Sequence, residues 1–203
     1  VGRAAADRVV GGVLDHARPR EVEELVRLPP GSVITIHNGV PDERHEPISP
    51  PKPGPLVGAV GRLEHQKGFD TLIRALPELD GATLVLVGEG NERATLEGLS
   101  RSLGVADRVV WAGWSDDARR YLSTFDVFAL PSRFEGFPLA VLEALLARSA
   151  VVAADVGSVA EVVLDSETGF LVPPEDPVAL ARAPRDPAAR HGNRVGARGR
   201  QRH

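Results

Sequence analysis

Short apolar runs that alternate with amphipathic helical patterns constrain this chain of 203 residues more than any other feature. Leu56-Val57-Gly58-Ala59-Val60 is such a run, closed by Gly61. Phe69, Leu72, Ile73 and Leu76 then recur at the i, i+3, i+4, i+7 spacing of one helix face. A strand over Thr83–Val87 is followed by a helix face of Leu96, Leu99 and Leu103. A strand over Arg108–Ala112 is followed by a polar helix over about Asp116–Ser123. Asp126–Leu130 and Ala150–Ala154 read as further strands, with a shorter one near Gly169–Val172. Runs without polar alternation suit strands buried on both faces. Strands separated by helices suit a parallel sheet, so the expected fold class is α/β, a Rossmann-like doubly wound parallel sheet. Ligands of such sheets sit beyond the carboxyl ends of the strands.

One strand end stands out. The segment Ser132-Arg133-Phe134-Glu135-Gly136-Phe137-Pro138 leads into a helix with an expected apolar face of Leu139, Leu142 and Leu146. Glu135 lies in the turn and Glu143 two turns into the helix, roughly 10–12 Å away at ~1.5 Å per residue. Gly136 and Phe137 offer backbone N–H groups at the helix start, a place that suits a phosphate or pyrophosphate. Gly136 permits close backbone approach, and Pro138 fits a first helical turn. The order is carboxylate, anion cradle, carboxylate. A sugar hydroxyl, a diphosphate and a ribose hydroxyl pair fit it in that order. Glutamate is also an ordinary helix and first-turn residue, so two of them around a helix start are weak evidence alone.

The surrounding motifs add to this. Glu135-Gly136-Phe137-Pro138-Leu139 through Glu143-Ala144-Leu145 resembles the E-x7-E element of the retaining glycosyltransferases called glycosyl transferases group 1, which have the GT-B fold. Val60-Gly61-Arg62-Leu63-Glu64-His65-Gln66-Lys67-Gly68 resembles that family's donor-phosphate segment. Leu86–Gly90, Val109–Gly113, Asp155–Ser158 with Glu161, and Thr168–Val172 resemble further elements, in the family's order. The resemblance runs from about Val33 to about Leu180.

It implies transfer of a sugar from a nucleotide-diphosphate sugar to an unknown acceptor with retention of configuration. Arg62 and Lys67 would bind the donor diphosphate, a guanidinium as a fork and an ammonium as a point charge. Aimed at the leaving group, with the Gly136 and Phe137 amides, they would stabilise its developing charge. Glu135 would hold a hydroxyl of the transferred sugar, Glu143 the two ribose hydroxyls, and Leu139 would border the donor. The catalytic set is thus Glu135, Arg62 and Lys67. The estimated Glu135–Glu143 spacing exceeds the ~5–5.5 Å of retaining hydrolase pairs, so neither is read as a covalent catalyst.

The same resemblance divides the chain. Residues 1–40 read as the tail of an N-terminal acceptor domain: a helix or two to about residue 28, then a strand Val33-Ile34-Thr35-Ile36 and a turn His37-Asn38-Gly39-Val40. Residues 41–55 hold Pro41, Pro47, Pro50, Pro51, Pro53 and Pro55, a stiff linker. Residues 56–181 form the donor-binding domain, and 182–203 an arginine-rich tail expected to be disordered. The chain starts at Val1 and contains no methionine, which suggests a fragment or a processed chain. The chain also departs from the family pattern: Arg148 stands where a glycine is usual, in a turn that favours positive φ.

Other classes fit less well. Net charge is −4, which gives no reason to expect nucleic acid. Cysteine is absent, no Asp-x-Asp pair occurs, and His37, His45 and His65 lack metal-ligand spacing, so neither metal nor cofactor is expected. No apolar run reaches the ~18–20 residues of a membrane span. A cytoplasmic protein is expected, with peripheral membrane contact through the missing domain as one option. Gly88-Glu89-Gly90 begins like a dinucleotide fingerprint, but Arg93 replaces the third glycine, against a dehydrogenase. Trp111 and Trp114 suit either a base platform or core packing. Two alternatives stay open: a nucleotide-sugar binding module without turnover, and a sugar-nucleotide epimerase on the same architecture.

Overall fold

Each apolar run becomes a strand, and each amphipathic segment a helix laid against it. The computed structural model describes residues 19–34, 38–43 and 45–183. They fall into two compact units that divide between His37 and Asn38. In the first unit, α1 (Pro19–Leu25) carries the buried Glu23, whose carboxylate accepts the Val33 amide at 3.0 Å. Val33 and Ile34 are not in a strand; Thr35, Ile36, His37, the helix expected before residue 19 and the tail from residue 184 lie outside the described residues.

The second unit is a six-stranded parallel sheet in the order β3-β2-β1-β4-β5-β6. The strands are β1 (Leu56–Val60), β2 (Thr83–Val87), β3 (Val109–Gly113), β4 (Val127–Leu130), β5 (Ala150–Ala154) and β6 (Phe170–Val172). Helices α2 (Phe69–Ala75), α3 (Arg93–Ser102) and α7 (Pro177–Arg182) belong to the core on one face. Helices α4 (Arg119–Leu122), α5 (Leu139–Leu146) and α6 (Val159–Val162) belong to the core on the other. All five residues of β2 are buried because Leu84 and Leu86 pack on the first face while Val85 and Val87 pack on the second. That two-sided burial explains the unbroken apolar runs.

The chain builds outward from β1 to β3, then returns to place β4 on the other side of β1. Asp126 fixes this return: its amide donates to the Leu56 carbonyl at 3.0 Å, and its carboxylate accepts the Leu56 amide at 2.8 Å. The topological switch point therefore lies between β1 and β4.

Two local expectations need correction. The polar helix before β4 forms only over Arg119–Leu122. The face that α5 buries is Val141 and Ala144; Leu139 and Leu146 are 41% and 46% exposed. Every residue of the helix except Glu143 is apolar, so periodicity does not define its buried face, and small residues allow a helix to approach a sheet closely.

Candidate functional site

The β1 and β4 strand ends deliver two loops to the switch point. After β1, the Gly61 amide donates to Val87, the Leu63 amide to the Glu89 carbonyl, and the Glu92 amide back to Leu63. A tight 3-10 turn, His65–Lys67, then carries Lys67, and Gly68 in left-handed conformation (φ 64°) starts α2. A Cβ on Gly68 would lie 2.0 Å from the Pro131 carbonyl oxygen, so only glycine lets the two loops approach this closely.

This approach sets up the central contact. The Lys67 ammonium donates to Glu135 Oε1 at 2.7 Å, although the residues are 68 positions apart. The Ser132 hydroxyl donates to the same oxygen at 2.6 Å. Glu135 is 6% exposed and Ser132 0%, while the Lys67 side chain keeps 22% exposure toward solvent. A buried carboxylate is thus neutralised by an ammonium that still reaches the crevice.

Arg133 bolts the two loops together. Its guanidinium forks onto Asp70 with two bonds of 2.9 Å, donates to the His65 carbonyl at 2.8 Å, and reaches Glu175 at 2.8 Å. Its amide donates to the Gln66 carbonyl, and the Gln66 side chain returns a bond to the Phe134 carbonyl. Burial pushes the Asp70 carboxyl up, but the Arg133 fork overrides it and holds Asp70 below the ordinary 3.8. The Asp70 fork in turn raises the Arg133 guanidinium.

The other expected residues are placed as follows. Arg62 is not drawn into the Lys67–Glu135 pair; its side chain is 72% exposed and pairs with Glu64 at 3.0 Å. Gly136 accepts the Ser158 hydroxyl through its carbonyl, which ties the loop to the start of α6. Phe137 is half-buried ahead of α5, and its carbonyl accepts the Leu139 amide. Glu143, half-buried on α5, has Arg119, His45 and Asp117 as charged neighbours. Burial pushes its carboxyl above the ordinary 4.5, Arg119 and His45 pull it back, and Asp117 adds to the rise. His45 Nδ1 lies 3.0 Å from Asp117. Trp111 packs toward the first core and carries the Arg93 guanidinium 4.4 Å from its ring centroid, whereas Trp114 is exposed. Arg148 adopts φ 63° directly after α5, the strained conformation expected from its place in the pattern.

Sequence reasoning gave no role to Ser132, Arg133 or Asp70. Each acts across the β1–β4 junction or within the β4 loop, and no spacing signal marks such partners. A cavity of about 730 Å³ lies at the opposite, amino-terminal strand ends, lined by Pro55, Asp126, Ala150 and Gly169 among others. The Lys67–Glu135 pair does not line it.

A doubly wound parallel sheet with its switch point between β1 and β4 defines an α/β domain of the Rossmann-like class. The family model described as Glycosyl transferases group 1 matches residues 54–186, and the chain belongs to that family. It is similar to the lipopolysaccharide core biosynthesis glycosyltransferase LpsE of Rhizobium meliloti (strain 1021), at 38% identity over 67% of this chain and 40% of LpsE. Among solved structures it is similar to sucrose-phosphate synthase from Thermosynechococcus elongatus, at TM-score 0.64 and 35% identity over 70% of this chain and 41% of that one. It is also similar to Anabaena HepE in complex with UDP, at TM-score 0.64 and 29% identity over 70% of this chain and 43% of that one. The fold is that of the GT-B glycosyltransferases. The chain spans less than half the length of each of these relatives.

Proposed function

We propose that this chain is the donor-binding part of a glycosyltransferase that moves a sugar from a nucleotide-diphosphate sugar to an acceptor with retention of configuration. The observation that carries the reading is the Lys67–Glu135 pair of 2.7 Å at the β1–β4 switch point. Lys67, with Arg62 turned from Glu64, neutralises the diphosphate, and the Gly136–Phe137 backbone at the start of α5 receives it. Glu135 takes a hydroxyl of the transferred sugar, Glu143 the ribose hydroxyls, and Leu139 borders the donor. HepE, solved with UDP and with UDP-glucose, supports a nucleotide-sugar ligand for a chain this similar. The diphosphate leaves as its charge is stabilised, and the acceptor attacks on the same face. Neither metal nor cofactor has a part in this scheme.

In this reading the acceptor is a sugar, a lipid-linked group or a small molecule, held by a domain of which residues 1–40 are the tail. Residues 41–55 are the linker, 56–181 bind donor, and the protein works in the cytoplasm. Among the described residues no helix is long and apolar enough to cross a membrane.

Calorimetric titration with UDP, GDP and ADP tests donor binding; heat with at least one is expected, and none with any of the three refutes it. Incubation with the corresponding nucleotide sugars and a panel of sugar and lipid-linked acceptors tests transfer: diphosphate release together with a glycosylated acceptor is the expected result.

A further inference from the structure

Resting on that donor-site reading, we propose that Ser132 is a positioning residue that dedicates one oxygen of Glu135 to the transferred sugar. A carboxylate has two oxygens and about four lone-pair sites to offer. Here both protein donors converge on one of them: Lys67 Nζ at 2.7 Å and Ser132 Oγ at 2.6 Å, each on Oε1. Oε2 receives no hydrogen bond among the described residues. Ser132 is fully buried, so its hydroxyl proton has no water to reach and must go to a protein acceptor. That acceptor lies three residues on, in the same loop.

Lys67 alone would not hold this geometry. An ammonium is a point charge and is satisfied by either oxygen, and a diphosphate in the crevice competes for it. The Ser132 hydroxyl is short and fixed by the β4 backbone. It keeps Oε1 engaged when Lys67 turns toward phosphate, and so keeps Oε2 as the acceptor for a sugar hydroxyl. Ser132 therefore acts on the sugar moiety and not on the nucleotide.

The test uses the full chain and measures, by calorimetry, UDP, GDP and ADP each beside its glucose or mannose derivative. The readout is the ratio of nucleotide-sugar affinity to nucleoside-diphosphate affinity, taken for the pair with the largest ratio. Ser132→Ala should lower that ratio about 5–10-fold, the size of one ordinary hydrogen bond, because the loss reaches the sugar only through the orientation of Glu135. In a Glu135→Gln background the same change should move the ratio less than about 2-fold, because the oxygen being positioned is already altered. Equal weakening of diphosphate and nucleotide sugar, an unchanged ratio, or full additivity with Glu135→Gln overturns the inference. If Ser132→Ala does not melt cooperatively, Ser132→Thr carries the test. It keeps the hydroxyl and should keep the ratio within about 3-fold of the parent, and a larger fall overturns the inference. Absence of binding by any diphosphate sinks the donor-site reading. Diphosphate binding with no gain from the sugar sinks only the Ser132 inference.

Discussion

Replacing Arg133 by methionine keeps its stem volume and removes every bond its guanidinium makes to α2, the β1 loop and Glu175, leaving the Arg133 amide, Gln66 and Lys67 contacts between the loops in place. The parent has a fork of two 2.9 Å bonds to Asp70, one bond to the His65 carbonyl and one to Glu175. The mostly exposed Glu175 arm is worth no more than ~0.5 kcal/mol. The better shielded Asp70 fork and the carbonyl bond bring the total to ~2–3 kcal/mol. For a domain near 150 residues, at ~2–4 °C per kcal/mol, the melting temperature should drop by roughly 5–10 °C. Asp70 sets the pH window. Its folded carboxyl lies below the ordinary 3.8, so the pair's stabilisation is complete above that value and is lost as pH falls through the lower folded value. The gap between parent and Arg133→Met should hold from pH 5 to 8 and narrow below about pH 4. In the variant, only the backbone hydrogen bonds of Asp70 and Thr71 still oppose burial, so the Asp70 carboxyl should rise from its value in the parent, visible by NMR titration. A cycle with Asp70→Asn, read by thermal melts, should show ~1–1.5 kcal/mol of coupling. Additivity within ~0.3 kcal/mol would refute the claim that this fork clamps the site loops.

Three further changes test other parts of the account. Arg148→Gly should raise the melting temperature by about 2–4 °C, since relief of a left-handed residue at φ 63° is worth ~1 kcal/mol; a drop would contradict the strain argument. Gly68→Ala should cost ~2–4 kcal/mol in chemical denaturation, because its Cβ meets a backbone oxygen at 2.0 Å in a positive-φ position; a neutral result would show that the β1 and β4 loops are not so tightly apposed. Glu143 should make nucleotide affinity fall with decreasing pH at a break above 4.5, since burial raises its carboxyl and ribose binding needs the ionised form. The linkage sign runs the other way for stability, which is fuller at low pH and declines as pH rises through the raised value. Glu143→Gln should abolish the affinity break and stabilise the neutral-pH fold slightly. An unchanged affinity break would exclude Glu143 from the site.

The sheet was legible because strands buried on two faces must be apolar at every position, as in Thr83–Val87. Lys67 and Glu135 were each singled out in the sequence, but their contact was not. It depends on β4 returning beside β1, a topology that no local spacing encodes. The Arg133–Asp70 fork escaped notice for the same reason, since the residues lie 63 positions apart. The α5 face was misread because a leucine stripe suggests a core. The sheet instead took Val141 and Ala144 and left Leu139 and Leu146 outside. Arg148 was the opposite case: a residue type at odds with its turn exposed the strain directly.

The most direct test is a crystal structure of the chain with a nucleotide-diphosphate sugar. The account predicts the diphosphate within hydrogen-bond reach of Lys67 Nζ and the start of α5, the saccharide on Glu135 and the ribose on Glu143. A nucleotide seated in the cavity at the amino-terminal strand ends, or a ribose remote from Glu143, would contradict it.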